Sequence, residues 1–262
     1  MCLIALALDC HPRYRLALIA NRDERHARPA APAGVDPDFP DLYGGRDLQL
    51  GGGWLMVSRR GRLAAVTNVR VGLGGQPMPR SRGELVRDFS RKGTATADWL
   101  QALEPDAAEY APFNLVLWDG PSSWFASNHP RFSAHAITPG LHAMSNGAFD
   151  APWPKSTHAT QALAHWLRSE AAGDAGMTDV APLFTALADD TPAPDASLPD
   201  TGIGLELERR LSPPFVRDAF YGTRCSTVVL VDDDGIRFVE RRFDPSGTAT
   251  GDTDTWLQHT TA

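Results

Sequence analysis

Apolar positions along this chain come in short runs separated by turn formers. Positions 3–8 are an unbroken apolar run, a turn follows around His11-Pro12, and positions 16–20 repeat the run. Runs this brief, bounded by turn residues, predict a hairpin of buried strands. Positions 29–41 are rich in Pro, Ala and Asp and read as a loop. Gly51-Gly52-Gly53 leads into a strand over 54–57, and a turn at Arg60-Gly61 leads into a strand over 63–69. The first 70 residues therefore predict an antiparallel meander.

Helical spacing starts at Ser81-Arg82-Gly83-Glu84, which has the form of a capping box. Leu85, Val86 and Phe89 then share one helical face. A second helix covers 97–103 and is stopped by Pro105. Strand signals resume over 113–118 and 124–127, across Asp119-Gly120-Pro121, with a further short run over 141–145. A helix over 155–168 follows Pro154. The acidic, Pro-rich stretch 186–199 reads as a surface loop. Positions 204–211 read as a helix that stops before Pro213-Pro214. The strongest local signal is a hairpin of 227–231 and 236–243 across Asp232-Asp233-Asp234-Gly235. From about 244 the chain is polar and reads as a loose tail. Strands early and late with helices between them predict an α+β fold, here as one domain over 1–262.

Composition narrows the function classes. The 262 residues are 42% hydrophobic and 22% charged, ordinary for a globular protein able to bury a sizeable core. A formal net charge of -7 argues against a partner held by phosphate neutralisation, so no nucleic acid is expected. No apolar run reaches membrane-spanning length. Cys2, Cys10 and Cys225 are an odd set at irregular spacing, which predicts a reducing compartment. The first ten residues lack a basic leading segment and run into Asp9, a poor signal peptide, so a cytoplasmic location is expected. There is no G-x-S-x-G elbow and no C-x-x-C pair. Gly72-Leu73-Gly74-Gly75 lacks the Lys-Ser/Thr of a phosphate loop and reads as a flexible turn. The histidines show no H-E-x-x-H spacing, so no metal is expected, and His129, His135 and His142 read as surface residues.

The candidate chemistry starts at Cys2. Removal of Met1 would leave a thiol and a free α-amine on one residue. The thiolate is the reactive species, with a free pKa of about 8.5, and an α-amine titrates near about 7.7–8.0. The amine can thus serve as the base that activates the side chain. The plainer alternative is a small residue opening a strand. Asn21-Arg22-Asp23-Glu24 ends the second predicted strand, and the hairpin brings it towards Cys2. A carboxylate and a guanidinium there would hold the amine and tune the thiol; a solvated, salt-bridged strand end is the alternative. Thr67-Asn68-Val69-Arg70, Ser145-Asn146-Gly147 and Tyr221-Gly222-Thr223-Arg224-Cys225-Ser226 are further polar groups at strand ends. Asn offers neutral N–H donors suited to an oxyanion, although each taken singly is more often a turn residue.

Taken together and in order, these segments resemble the NRDE family, also called the transport and Golgi organisation protein 2 family. Gly44-Gly45-Arg46-Asp47, Gly53-Trp54-Leu55, Ser81-Arg82-Gly83 and Trp153-Pro154-Lys155 add to the match. The family is similar, more distantly, to the cysteine N-terminal-nucleophile (Ntn) hydrolases that cleave penicillin V and conjugated bile acids. That resemblance implies a four-layer αββα sandwich of two mainly antiparallel sheets. It also implies Cys2 as nucleophile, Asp23 holding the α-amine, and Asn146 as the oxyanion Asn with Asn68 as the earlier one. Arg224 would be the late Arg that lowers the thiol pKa. Asn21, Arg22 and Glu24 would support the site, and Trp54, Phe149 and Trp153 would bind substrate. The hydrolases separate their Arg and Asp, whereas Arg22 and Asp23 are adjacent and so point to opposite faces of a strand. Two functions follow. One is cleavage of an acyl amide or thioester through acyl-Cys2, with no cofactor. The other is non-catalytic binding and trafficking of haem or acyl-CoA on the same fold.

Overall fold

The computed structural model describes residues 2–74, 78–173 and 178–260. Met1 and Gly75 of the 72–75 turn lie outside the described residues. Two antiparallel sheets form the centre. The first runs in the order β10 (Gly140–Met144), β1 (Cys2–Leu8), β2 (Leu16–Arg25), β11 (Tyr221–Val231), β12 (Gly235–Phe243) and β13 (Ala249–Gln258). The second runs β3 (Ala30–Val35), β4 (Leu42–Asp47), β5 (Gly53–Ser58), β6 (Arg62–Asn68), β7 (Phe113–Trp118), β8 (Ser123–Ser127) and β9 (Ser133–Ala136).

Strand alternation distributes the apolar residues to three layers. In β1, Ile4, Leu6 and Leu8 face the second sheet, where they meet Leu55, Val57 and Val116. Leu3, Ala5 and Ala7 face the other way, onto Leu163 and Trp166 of α3 (Pro154–Leu167) and Leu183 of α4 (Ala181–Leu187). This double-sided burial is why 3–8 is continuously apolar. The outer face of the second sheet, with Met56, Ala64 and Leu115, is covered by α1 (Arg82–Arg91) and α2 (Thr96–Leu103). The stack is α, β, β, α, as the resemblance implies. The capping box at Ser81 forms, with the Ser81 hydroxyl accepting from Gly83 N and the Glu84 carboxylate from Ser81 N.

Several elements depart from the sequence reading. The Pro-rich stretch expected to be a loop contains β3, an edge strand where Pro32 loses no ladder bond to a second neighbour. The tail expected to be loose from 244 forms β13, paired along β12. Bidentate bonds from Arg237 to Asp254 and from Arg241 to Asp252 fasten that pairing. His142, expected at the surface, is half-buried and shares hydrogen bonds with Asp150 Oδ2 at 2.8 Å and Thr138 O at 2.9 Å. Among the described residues, no helix is long and apolar enough to cross a membrane.

Asn21 holds the layers together. It is buried in β2 and donates through Nδ2 to Leu187 O at 2.8 Å and Pro214 O at 2.9 Å, while its Oδ1 accepts from Ser226 Oγ at 2.6 Å. It thus ties the first sheet to the end of α4 and to the segment before β11. Replacing it with Ala strands two buried carbonyls and one hydroxyl. Asn21→Ala should lower unfolding stability by about 3 kcal/mol, read as a lower urea midpoint with an unchanged slope.

Candidate active site

Cys2 opens β1 directly opposite Arg22 of β2, and Arg22 lies opposite Cys225 of β11. Residues opposite one another in an antiparallel ladder share a face, here the face between the sheets. Arg22 is only 7% exposed. Its guanidinium carbon stacks 4.1 Å from the centre of the Trp54 ring, which reaches across from β5. Among the described residues, Nη1 of Arg22 is buried without a hydrogen-bond partner. A buried cation in this condition costs several kcal/mol unless an anion balances it. A thiolate on the same face would be one such anion.

A second guanidinium arrives from the other sheet's helix. Arg82, in the first turn of α1, donates from Nη1 to Pro112 O at 3.0 Å. Burial lowers its pKa, while the nearby Cys2 thiol and the Glu24 carboxylate act to raise it. Glycines allow the helix end to come so near. Gly52 has φ +77°, and a Cβ on it would lie 2.3 Å from the carbonyl carbon of Gly83. Only a glycine fits that backbone conformation and that approach.

The end of β10 joins the sheets at this point. Ser145 Oγ donates to Cys2 O at 2.9 Å, and Thr67 Oγ1 of β6 donates to Ser145 O. Asn146, fully buried, spends its Nδ2 on Asn68 O at 2.9 Å and Asn68 Oδ1 at 3.0 Å. Its own carbonyl accepts from Arg70 N at 2.8 Å. Asn146 therefore fixes the Asn68 amide by its oxygen and leaves the Asn68 Nδ2 side turned away from that clasp.

The opposite face of the first sheet carries the carboxylate. Asp23 is buried, and Oδ1 accepts from Thr223 Oγ1 at 2.7 Å. Burial raises its pKa, with Lys155, Thr223 and Arg22 pulling it back down. Lys155, in the first turn of α3, is 2% exposed and donates to Leu211 O at 3.2 Å. Burial lowers its pKa to about 8, against the raising influence of Asp23 and Cys2. Beside it Arg70 and Glu208 pair at 3.0 Å, with side chains 8% and 3% exposed. Thr201 donates to Glu208 Oε1 from both N and Oγ1, and Arg70 lies over Trp153 at 5.3 Å.

Cys2, Arg22, Asp23, Trp54, Asn68 and Asn146 thus gather at one end of the sandwich. Arg224 is placed differently. It is the extra residue of a bulge in β11, and its Nη1 donates to the carbonyls of Arg25, His26 and Arg28 at 2.9, 3.1 and 3.1 Å. The guanidinium opposite the thiol is that of Arg22. Glu24 lies 3.9 Å from Arg28, and Asn21 serves the layers described above. Phe149 packs on Phe125 at 4.5 Å and on His142, whose partner in β1 is Leu6, four residues along from Cys2. Sequence reading missed Ser145, Arg82 and Lys155 as site residues, although all three sit in segments that it had singled out. The capping box at Ser81 marked the helix start that carries Arg82, but no sequence signal placed it beside the strand end. Cys225 is buried, and burial raises its thiol pKa well above the ordinary value.

Comparison with known proteins fits this arrangement. The family model described as Transport and Golgi organisation 2 matches residues 1–245. A Transport and Golgi organization 2 homolog from Mus musculus is 31% identical over 98% of each chain. The homolog from Bos taurus is 34% identical over 92% of each chain. A mutant conjugated bile acid hydrolase from Clostridium perfringens has a TM-score of 0.52 at 8% identity, covering 97% of this chain and 92% of that one, a likeness of fold. The architecture is that of the N-terminal-nucleophile hydrolases.

The Lys155 environment makes stability depend on pH in a defined direction. A lysine whose pKa falls from 10.5 to about 8 on folding binds fewer protons in the folded state between those values. The folded state therefore gains stability as pH rises through that window. Relative to Lys155→Met, the wild type should gain up to about 3 kcal/mol between pH 8 and 10.5, measured by urea unfolding at stepped pH. Parallel stability curves for the two proteins would contradict this.

Proposed function

The chain belongs to the Transport and Golgi organisation 2 family, and from that premise we propose that it is an N-terminal-nucleophile hydrolase of acyl amides or thioesters. The observation that carries the proposal is the fixed position of Cys2. Its carbonyl is tied to Ser145, its side chain shares a face with Arg22, and Asp23 lies on the neighbouring strand. With Met1 removed, the α-amine of Cys2 accepts the thiol proton and Asp23 holds the resulting ammonium. The thiolate attacks the substrate carbonyl, so a C–S bond forms and the carbonyl π electrons move to oxygen. Asn68 Nδ2, oriented by Asn146, is the neutral donor to that oxyanion. Collapse breaks the C–N or C–S bond to the leaving group, which takes the ammonium proton. Water then attacks acyl-Cys2 and gives a proton to the amine; the C–S bond breaks, the carboxylic acid leaves, and the Cys2 thiolate takes the proton back from the ammonium. Arg22 and Arg82 set positive charge beside the nucleophile.

Intact mass of the purified protein should show loss of Met1. In a Cys10→Ser background, iodoacetamide should modify Cys2, while Cys225 reacts only after unfolding. Cys2→Ala should reduce turnover at least roughly a thousandfold, and Asn68→Ala should reduce kcat by about a hundredfold. A protein that retains Met1 and binds acyl ligands without turnover would instead match the carrier reading.

A further inference from the structure

The loop that leaves β10 is closed at its base by Asp150. Asp150 N donates to Ala143 O at 2.9 Å, and Ala143 N donates to Asp150 Oδ1 at 2.8 Å. Asp150 makes this closure in the left-handed region, φ +56°, which aspartate tolerates better than most residues. The loop over 143–150 carries Ser145, bonded to the Cys2 carbonyl, and Asn146, bonded to Asn68. Asn114 Nδ2 of β7 donates to Gly147 O at 2.6 Å, and a Cβ on Gly147 would lie 2.5 Å from the Trp153 ring. Two residues of the site therefore sit in a tightly packed loop whose base is set by one carboxylate.

His142 engages the other oxygen of that carboxylate. Its Nδ1 meets Asp150 Oδ2 at 2.8 Å, and its Nε2 meets Thr138 O at 2.9 Å. Both partners are acceptors. A neutral imidazole has one N–H and one lone pair, so in either neutral tautomer a lone pair would face an oxygen. Only the doubly protonated ring donates on both sides. The ring also lies over Phe149, with centroids 5.5 Å apart and planes at 17°, and an aromatic face attracts a cation. Phe149 in turn packs on Phe125 of β8. From the surrounding strands, β1 presents Leu6 opposite His142, and β9 presents His135 beyond Phe149, 6.0 Å from that ring.

We propose that His142 is a positioning residue: donating from both ring nitrogens, it clasps Asp150 and the 143–150 loop against β10, and thereby holds Asn146, and through it the Asn68 amide, at the Cys2 end of the sandwich. Loss of the second ring proton breaks one of the two bonds and loosens the loop at its base. The clasp stands apart from the hydrolase reading. Its effect on turnover rests on that reading, in which Asn68 is the donor to the oxyanion.

The exchange arm of the test uses the whole chain and no substrate. The Arg70 amide, which donates to Asn146 O at 2.8 Å, reports on the loop. His142→Phe keeps an aromatic ring on Phe149 and removes both donors. It should speed hydrogen exchange of the Arg70 and Asp150 amides at least about tenfold and leave the amides of β12 unchanged. In the wild type, protection of the Arg70 amide should fall as the second ring proton is lost, followed on the same samples by side-chain NMR of His142. Asp150→Asn separates the proton from the position. Its side-chain amide can donate to Nδ1 while the neutral ring donates from Nε2 to Thr138 O, so both contacts survive without the second proton. Protection in Asp150→Asn should match the wild type and should not fall when that proton is lost.

The turnover arm uses the N-acetylcysteamine thioester of acetic acid, with protein verified to begin at Cys2. His142→Phe should lower kcat at least about tenfold with KM within about twofold, and Asp150→Asn should keep kcat within about threefold. Arg70 protection that His142→Phe leaves unchanged, or that falls with the ring proton equally in Asp150→Asn, would overturn the clasp. If His142→Phe does not fold, the comparison with Asp150→Asn decides alone. Wild-type turnover with kcat unchanged in His142→Phe would overturn the positioning role and keep the hydrolase. The expected exchange pattern with no turnover by the wild type would sink the hydrolase reading and keep the clasp.

Discussion

The pairing of β1 with β2 up to the first described residue is the constraint on which the site depends. Strand side chains alternate between faces, so setting Cys2 opposite Arg22 decides everything around them. The thiol faces the second sheet with Arg22 and Trp54, and Asp23 faces the helices with Thr223 and Lys155. The adjacency of Arg22 and Asp23, which sets this chain apart from the hydrolase pattern, is thereby explained. The two residues act from opposite sides of one sheet, and the residue they share is the one that ends it.

Charge compensation follows from the same arrangement. The helix side contains Asp23, Lys155, Arg70 and Glu208 in close company, so each buried ion has an opposite charge near it. The sheet-to-sheet side contains Arg22 without a carboxylate partner among the described residues, and Arg82 bonded to a carbonyl. Burying a cation without a close ion pair is expensive, and both guanidiniums lie on the face that carries the thiol. The helix side thus holds a four-ion cluster, and the inter-sheet side holds two guanidiniums by the thiol, with Glu240, Asp47 and Glu24 acting on them from further off.

The sequence was legible where local pattern and tertiary role coincide. Asn21-Arg22-Asp23-Glu24 stands out because four polar residues end an apolar strand, and the capping box at Ser81 is a contiguous signal. The αββα layers were recovered through resemblance, since no periodicity reveals how two sheets stack. Edge strands were missed: β3 contains a proline, β9 is four residues long, and β13 is polar throughout most of its length. Their strand character comes from a neighbour's backbone and not from their own side chains. Lys155 and Arg82 were hidden for a related reason. A helix N-terminus shows in sequence, but the strand end it packs against does not. Asn68 and Asn146 were recognised as a pair, while which of them holds the other depends on hydrogen bonds that no spacing encodes.

The position of β13 bears on how one edge of the first sheet is closed. The family-model match ends at residue 245, and β13, which completes the first sheet, begins just past it at Ala249. Without it, β12 would present an open row of backbone donors and acceptors flanked by Val239 and Phe238, a template for adding further chains. With it, the outermost strand meets solvent carrying Asp252 and Asp254, each already engaged by an arginine of β12. A sheet edge approaching β13 would meet charge there in place of an apolar rim, which disfavours extension of the sheet at this edge.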